Sequence, residues 1–573
     1  MSAIQQLLTD HIDIWTAAET EKKSGRGRAS GNAGSVYGIK KLRELILELA
    51  VRGKLVPQDV NDEPASELLK RIQAEKAKLI AEGNIKKDKP LAAITEDEKP
   101  FELPKGWEWV RFADLVNVLN GRAYKKEELI DAGTPVLRVG NLFTSEHWYY
   151  SDLILEEDKY CNKGDLLFAW SASFGPFIWD GDKAIYHYHI WKLDLYGGDL
   201  LYKRYLYTFL LEQTQKIKAA GHGVMMIHMT KEKMEKIVVY LPPLAEQHRI
   251  AAKVDELMAL CDQLENQHSN AADAHEKLVS HLLGTLTQSQ SAEDFSANWQ
   301  RIAAYFDTLF TTDASIDALK QTLLQLAVMG KLVPQDVNEE PASELLKRIH
   351  AEKVKLIAEG KMKKDKPLPP ITDDEKPFEL PNTWQWVKLQ EVFDVRDGTH
   401  DTPKYCDIGF PLITSKNIST GILDFSDIKY ISEADHLKIK DRSAVKRGDI
   451  LFAMIGSIGN PVIVNIDTDF SIKNMALFKP YSNNICDMNY LLKYLLIAAV
   501  AMREQSTGAV QSFVSLGIIR NYLYAMPPLA EQHRIIAKVD ELMGLCDQLK
   551  SRITDASRLQ QKLADVLVEQ AVA

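Results

Sequence analysis

The sequence is poor in the residues that staple or metallate small folds. Its 573 residues hold five cysteines, at 161, 261, 406, 486 and 546, with no CxxC pair. That argues against a zinc site or disulfide frame and for reduced thiols in a cytoplasmic chain. No run of about 18 apolar residues occurs, so no membrane span is expected. The opening MSAIQQLLTDHIDIW has no basic segment followed by an apolar one, so no secretory signal is expected either. Positive charge is not in surplus: the formal net charge of −10 gives no electrostatic hint of nucleic acid. Any DNA contact must come from local basic residues or from a partner. GxxxxGK[ST] is missing, which excludes a phosphate-cradling P-loop. An amino-methyltransferase would need [DN]PP[YF]; the nearest string, Asn460-Pro461-Val462, lacks the second proline and the aromatic.

What the chain does have is repetition. PPLAEQHRIAAKVDELMALCDQL (242–264) returns as PPLAEQHRIIAKVDELMGLCDQL (527–549), an offset of 285 with two differences, Ala251/Ile536 and Ala259/Gly544. The Pro-Pro pair starts a helix, with Glu246 in a first turn that favours negative charge. Ile250, Val254, Leu257, Cys261 and Leu264 follow at the alternating four–three spacing of a packed helical seam, as do Ile535, Val539, Leu542, Cys546, Leu549 and Ile553. Both cysteines therefore read as small buried apolar residues. A second repeat, offset by 277, pairs 49–83 with 326–360 and continues through KPFELPKGWEWV (99–110) and KPFELPNTWQWV (376–387). Within it ASELLKRIQAEKAKLIAEG predicts an amphipathic helix with Ser66 as N-cap and Gly83 near its end. Upstream lie Ile12, Ile14 and Trp15 on a short amphipathic stretch, then the linker KKSGRGRASGNAGS and a helix from about Gly38.

Two divergent segments of α/β character sit between the repeats and share a skeleton: KGDLLFAW (163–170) matches RGDILFAM (447–454), and PVLRVGN (135–141) matches PLITSKN (411–417). The expected fold is α+β, with two α/β domains separated by long antiparallel coiled-coil helices in a pseudo-twofold, circular arrangement. The expected divisions are an extension and frame helix (1–100), a first variable domain (101–242), a central helical region (243–377), a second variable domain (378–527) and a C-terminal helix (528–573). Because the N-terminal helix matches the second half of the central region and the C-terminal helix its first half, the chain ends are expected to pair as the central helices do. A helix over 244–283 would be about 60 Å long and could hold two domains a fixed distance apart.

Chemistry of its own is hard to find. Asp97-Glu98-Lys99 and Asp374-Glu375-Lys376 spell the (D/E)xK of many nucleases but lie in charged linkers with no strand around them. His187, His189, His222 and His228 lack metal-ligand partners at persuasive spacing, and read as chance histidines. His248 and His533, in matching first turns, read as frame or docking residues.

PPLAEQHRI after each variable segment, the repeated GKLVPQD…EPASELL, and RDGTHDTPKY with PLITSKN closely resemble the specificity (S) subunits of type I restriction–modification enzymes, over essentially the whole chain. The extension with YGIKKLRELILELAVRGKLVPQ resembles the long-chain subgroup. The resemblance implies that the variable segments are target-recognition domains, each reading one half of a bipartite, asymmetric site in double-stranded DNA. It also implies that the frame helices set the spacer and dock two methyltransferase (M) subunits, and that restriction (R) subunits add to that core. No cofactor is expected on this chain; S-adenosylmethionine belongs to the M subunits, and ATP with Mg²⁺ to the R subunits. No catalytic or metal-binding residue is expected.

The first domain (101–242) holds 17 basic and 19 acidic residues and the second (379–527) 15 and 16, so neither is basic. The expectation is that M subunits clamp phosphates while these domains read base edges. Candidate readers in the first are Arg122, Tyr124, Lys125, Lys126, Arg138 and Asn141, then Trp170, Ser171 and Ser173. In the second they are Arg396, Thr399, His400, Thr402, Lys404, Lys416, Asn417, Ser457, Gln511 and Ser512, with Gly398 and Pro403 as turn formers. Arginine suits guanine O6/N7 and asparagine suits adenine N6/N7. The alternatives are a pseudo-symmetric scaffold displaying two protein-binding domains and, more weakly, a self-contained enzyme.

Overall fold

The computed structural model describes residues 10–17, 36–86, 91–171, 174–220, 229–362, 364, 367–482, 484–506 and 513–572. The chain forms two compact units. One comprises Met1–Ala272 with Asp555–Ala573, the other Asp273–Thr554. Among the described residues the helices of 15 residues or more are, in chain order, α1 (Tyr37–Val51), α2 (Ala65–Ala81), α3 (Lys203–Ala220), α4 (Leu244–Gln288), α5 (Asp313–Val328), α6 (Ala342–Ala358), α7 (Met488–Ser506) and α8 (Leu529–Val572). None is long and apolar enough to cross a membrane.

In the first unit the apolar stripe of α1 buries Ile39, Leu42, Ile46 and Leu49. Gly53, at φ +66°, lets the chain turn off the end of α1, and Gly330, at +71°, does so after α5. Arg43 on α1 reaches Asp262 at 2.6 Å and Glu265 at 2.9 Å on α4. The last turns of α8 close this core. Ala564 is fully buried, Leu567 and Val568 pack against the same cluster, and Tyr37 Oη donates to Asp565 Oδ1 at 2.7 Å. Lys54 Nζ then donates to the Val572 carbonyl at 2.9 Å, satisfying an orphan acceptor at the helix end.

The second unit repeats this with other parts of the chain. Val279, Leu283 and Leu286 of α4 share a core with Ile316, Leu319 and Leu323 of α5 and Cys546 of α8. Lys331 Nζ caps the end of α4 through the Thr287 and Ser289 carbonyls at 3.0 and 2.8 Å. Residues 555–572 thus serve the first unit as 273–288 serve the second, which is the expected pairing of the chain ends. Cys261 and Cys546 are buried seam residues as expected, at 0% and 5% exposure. The long helix extends to Gln288, beyond the expected 283.

One expectation about a cap is corrected. Ser66 lies inside α2, whose N-cap is Pro64 in extended conformation with no side-chain cap. The backbone supplies the acceptor instead: Ala65 N donates to Gly106 O at 2.8 Å, and the equivalent Ala342 N to Thr383 O at 2.9 Å. The nuclease-like strings fall on short 3₁₀ turns, where Glu98 closes a capping box with Thr95 and pairs with Arg111 at 2.7 and 2.8 Å.

Each unit carries one sheet-rich head on a two-stranded antiparallel ribbon, Glu108–Arg111 with Val238–Leu241 and Gln385–Lys388 with Leu523–Met526. In the first head an antiparallel sheet runs in the order Val116–Asn120, Ile190–Leu195, Leu166–Ala169, Gly175–Ile178; in the second, Phe393–Asp397, Met475–Pro480, Ile450–Ala453, Gly459–Ile463. A smaller sheet in each contains one parallel pair, Thr134–Leu137 with Ala184–Tyr186 and Phe410–Ile413 with Ser471–Ile472. α3 and α7 pack against these heads, and α1 and α5 against α3 and α7.

The repeated motifs meet at one carboxylate in each unit. Glu246, 1% exposed in the first turn of α4, accepts from Trp107 Nε1 at 2.9 Å and from Gln58 Nε2 at 3.1 Å. Glu531, fully buried, accepts from Trp384 Nε1 at 2.9 Å and Gln335 Nε2 at 2.6 Å. Gln247 and Gln532 beside them donate to the Pro242 and Pro527 carbonyls, both at 3.0 Å. Burial pushes both carboxyls above the ordinary carboxylate value of 4.5, against the opposing pull of the tryptophan and glutamine donors. Trp107→Phe, which leaves a buried acceptor short of a donor, should cost about 1–3 kcal/mol in the first unit's unfolding transition. Glu246→Gln keeps an acceptor without the charge. Since a raised folded pKa means the native state holds the proton longer, wild type should lose stability relative to Glu246→Gln as pH rises from about 4.5 through the folded pKa. Parallel denaturation curves at pH 4 and pH 8 measure this; an unchanged difference between the two proteins would refute it.

Candidate nucleic-acid interface

In each head the same backbone clip gathers the candidate loops. After Asn120 the chain turns at Gly121, where a Cβ would collide with the His187 carbonyl. Arg122 N then donates to Tyr186 O at 3.1 Å and Tyr188 N to Arg122 O at 3.0 Å. In the second head Gly398 would collide with Ile472 O, Thr399 N donates to Ile472 O, and Asn474 N donates to Thr399 O, both at 3.0 Å. The loop before α3's sheet partner joins in: Trp170 N donates to His189 O at 3.1 Å, and Met454 N to Asn474 O at 3.2 Å. The Arg138 and Lys416 turns are attached through His187 N to Leu137 O and Lys473 N to Ile413 O, each 2.9 Å. Three sequence-distant loops therefore share one edge in each head.

The side chains divide into those turned outward and those used by the fold. In the first head Lys125, Lys126 and Arg138 are exposed, Arg138 lying 5.1 Å from the Tyr149 ring centre. Arg122 is engaged by Glu128 through two hydrogen bonds of 2.9 and 2.7 Å and lies 5.2 Å from the Tyr124 ring centre. That guanidinium, with the Lys125 backbone N–H, holds the Glu128 carboxyl down at about 2. Burial pushes the Tyr124 phenol up to about 12. Tyr124, Lys126, Arg138, Tyr149 and His187 line a hollow of about 400 Å³. Trp170 Nε1 donates to Tyr188 O at 2.8 Å and its ring stacks on Trp191 at 5.7 Å, while Ser171 is buried.

Asn141 and Asn417 face inward. Asn141 Oδ1 accepts from Arg138 N at 3.1 Å and its Nδ2 donates to His147 O at 2.8 Å. Asn417, 6% exposed, accepts from Thr414 N and Oγ1 at 3.0 Å and donates to Asp424 O and Asp427 O at 3.1 Å. Their amides hold the turns that push Arg138 and Lys416 outward. The two residue types chosen as a pair thus do opposite work.

In the second head Thr402, Lys404, Lys416, Ser457 and His400 are exposed and Thr399 is half-buried. Arg396 pairs with Asp394 on the sheet at 2.8 and 2.7 Å. His400 Nε2 donates to Asp397 Oδ2 at 2.9 Å, and Lys473 Nζ donates to Thr402 Oγ1. Ser173, His222, His228, Gln511 and Ser512 lie outside the described residues.

Sequence reasoning reads His187 and His189 as chance histidines and does not consider Tyr188; the clip sets all three among Tyr124 and Trp170. The Tyr188 and His189 rings are 3.9 Å apart and Trp170 meets His189 at 5.0 Å. Burial holds the His187 imidazole down at about 4, so it is neutral at pH 7. The usable signal was the HYH spacing directly before a strand, in register with Lys473-Asn474. Among the described residues no group of three or more His, Cys, Asp or Glu could hold a metal ion.

Residues 104–273 and 381–556 match the family described as the type I restriction modification DNA specificity domain. The specificity subunit of the Escherichia coli type I restriction enzyme EcoAI is 40% identical over the full length of both chains, and that of EcoEI, from the same organism, 39%. The chain belongs to the type I restriction–modification specificity-subunit family. A solved chain from a type I restriction–modification system aligns at 17% identity over 82% of this chain and 99% of its own, with a TM-score of 0.47. As a specificity subunit the protein is the component that recognises DNA sequence.

Arg138→Ala or Lys416→Ala should each weaken cognate DNA binding by about 1–3 kcal/mol, the worth of a good base contact, with subunit assembly intact. Asn417→Ala should instead lower the thermal stability of the second unit, because it strips a buried turn of four hydrogen bonds. Titration of labelled duplex and a melting curve on the same preparations separate the two outcomes.

Proposed function

We propose that this specificity subunit has no catalytic activity and reads a bipartite, asymmetric site in double-stranded DNA, one half with each head. The carrying observation is a frame repeated nearly letter for letter that presents two heads of one topology with unlike loops. A reader of two unlike half-sites needs that combination: constant support, variable edges. Exposed Lys125, Lys126, Arg138, Lys404 and Lys416 supply donors along those edges, while the near-neutral heads leave most phosphate affinity to partners.

The partners are two methyltransferase subunits docked on the repeated helices and restriction subunits added to that core, in the cytoplasm. The methyltransferase subunits bring S-adenosylmethionine and the restriction subunits ATP with Mg²⁺. The length of the helices between the heads sets the spacer between half-sites.

Co-expression with the methyltransferase subunit, followed by mapping of methylated adenines across the host genome, should give a split motif with a fixed gap. Exchange of residues 101–242 for the equivalent segment of another family member should change one half of the motif and leave the other half and the gap alone. A change in both halves, or in neither, would exclude the one-head, one-half-site reading.

A further inference from the structure

The second head contains a charged cluster built on Asp397, where the first head has Asn120. Asp397, at the end of the Phe393–Asp397 strand, is 5% exposed. It receives Arg442 Nε on Oδ1 at 2.8 Å and Arg442 Nη2 on Oδ2 at 2.5 Å. His400 Nε2 shares Oδ2 at 2.9 Å, and its Nδ1 lies 3.2 Å from the Asn474 side chain. Asn474 itself sits at φ +55°, fixed by its bond to Thr399 O. Asp397 is buried, yet the Arg442 side chain is 53% exposed and the His400 side chain 47%. An inward carboxylate therefore holds two outward cation-capable groups beside the clipped loop. In the first head the equivalent position is Asn120, whose carbonyl accepts from Lys159 Nζ at 3.1 Å.

The guanidinium geometry decides what such a cluster offers. Arginine has five N–H donors in a rigid plane, and the side-on grip of Asp397 uses two of them. The opposite edge keeps one N–H on each terminal nitrogen, parallel and coplanar, with no partner among the described residues. Two parallel donors match the O6 and N7 acceptors of guanine in the major groove, and no other base presents that pair. A phosphate would also accept them, but it needs no plane held in one orientation. Holding the plane is what the buried carboxylate does, by removing the side-chain freedom a long exposed arginine would otherwise lose on binding.

We propose that Arg442 reads a guanine in the half-site of the second head, and that Asp397 is the residue that positions it. This rests on the DNA-reading function above and assigns one base to one side chain. The assignment is confined to the second half-site, because the first head has no carboxylate at this position.

The test uses the full chain assembled with its methyltransferase subunit, with adenine methylation mapped for wild type, Arg442→Ala, Arg442→Lys and Asp397→Asn. Wild type should require a guanine in the second half-site. Arg442→Ala should reduce preference for that guanine about 10- to 100-fold, the range of one bidentate base contact, leaving the other positions and the first half-site unchanged. Arg442→Lys, which keeps the charge but not the paired donors, should lose preference similarly, and Asp397→Asn should lose it in part. Full preference in Arg442→Lys would mean a phosphate contact and would overturn the proposal, as would loss spread over both half-sites or a second half-site without guanine. Those results leave a split motif in place and so spare the DNA-reading function; a wild-type complex with no split motif would overturn both. His400 still donates to Asp397 in both Arg442 variants and Arg442→Lys keeps a cation beside it, so that variant carries the test even if Arg442→Ala or Asp397→Asn fails to fold.

Discussion

The structure depends on a carboxylate taken out of water in each unit. A buried glutamate is costly unless donors surround it, and Glu246 and Glu531 find theirs in segments far away in sequence: a tryptophan at the foot of the ribbon and a glutamine just after a frame helix. Each glutamate thereby fixes three elements at once: the start of the long helix, the entry strand of the head, and the turn behind α1 or α5. Arg249 pairs with Asp62 and Arg534 with Glu339 next to it. These half-exposed pairs add register more than energy. The three repeated motifs, PPLAEQHR, GKLVPQD and the tryptophan of LPxxW, are spelled twice because each supplies one side of the same junction.

That explains which parts of the molecule were legible beforehand. The frame could be read because its periodicity and its duplication point the same way, and burial of Val254, Leu257 and Cys261 followed. The sharing of α4 and α8 between the units was legible for the same reason. Glu246 was seen only as a favourable charge at a helix start, since nothing local announces that a tryptophan 139 residues earlier will bond to it. Ser66 misleads because a serine at the start of an amphipathic run resembles a cap, whereas the helix begins one residue earlier, at Ala65, whose N–H the Gly106 carbonyl accepts.

Within the heads, residue type alone was a weaker guide. Arg138 and Asn141 are both plausible partners for a base, but a short amide near a turn finds backbone groups before it finds DNA. The longer cation beside it is left to point away. His187 and His189 read as chance histidines because their neighbours, Tyr124 and Trp170, are contributed by loops that only the backbone clip brings near. Nor does anything local to Asp397 announce that Arg442, 45 residues downstream, will bond to it. Divergent loops on a shared topology are what a sequence with no second copy of either head cannot resolve, since side-chain direction is set by contacts across the sheet.

The last eighteen described residues, 555–572, complete the core of the first unit although they leave the ribosome after all of the second. During synthesis the first unit stays open for the whole time that the second is being made. A polypeptide stopped at about residue 554 would hold every residue of the second unit and lack the helical segment that covers α1. Closing the first core therefore waits for residues 555–572, so α1, made before the second unit, is sealed only after it.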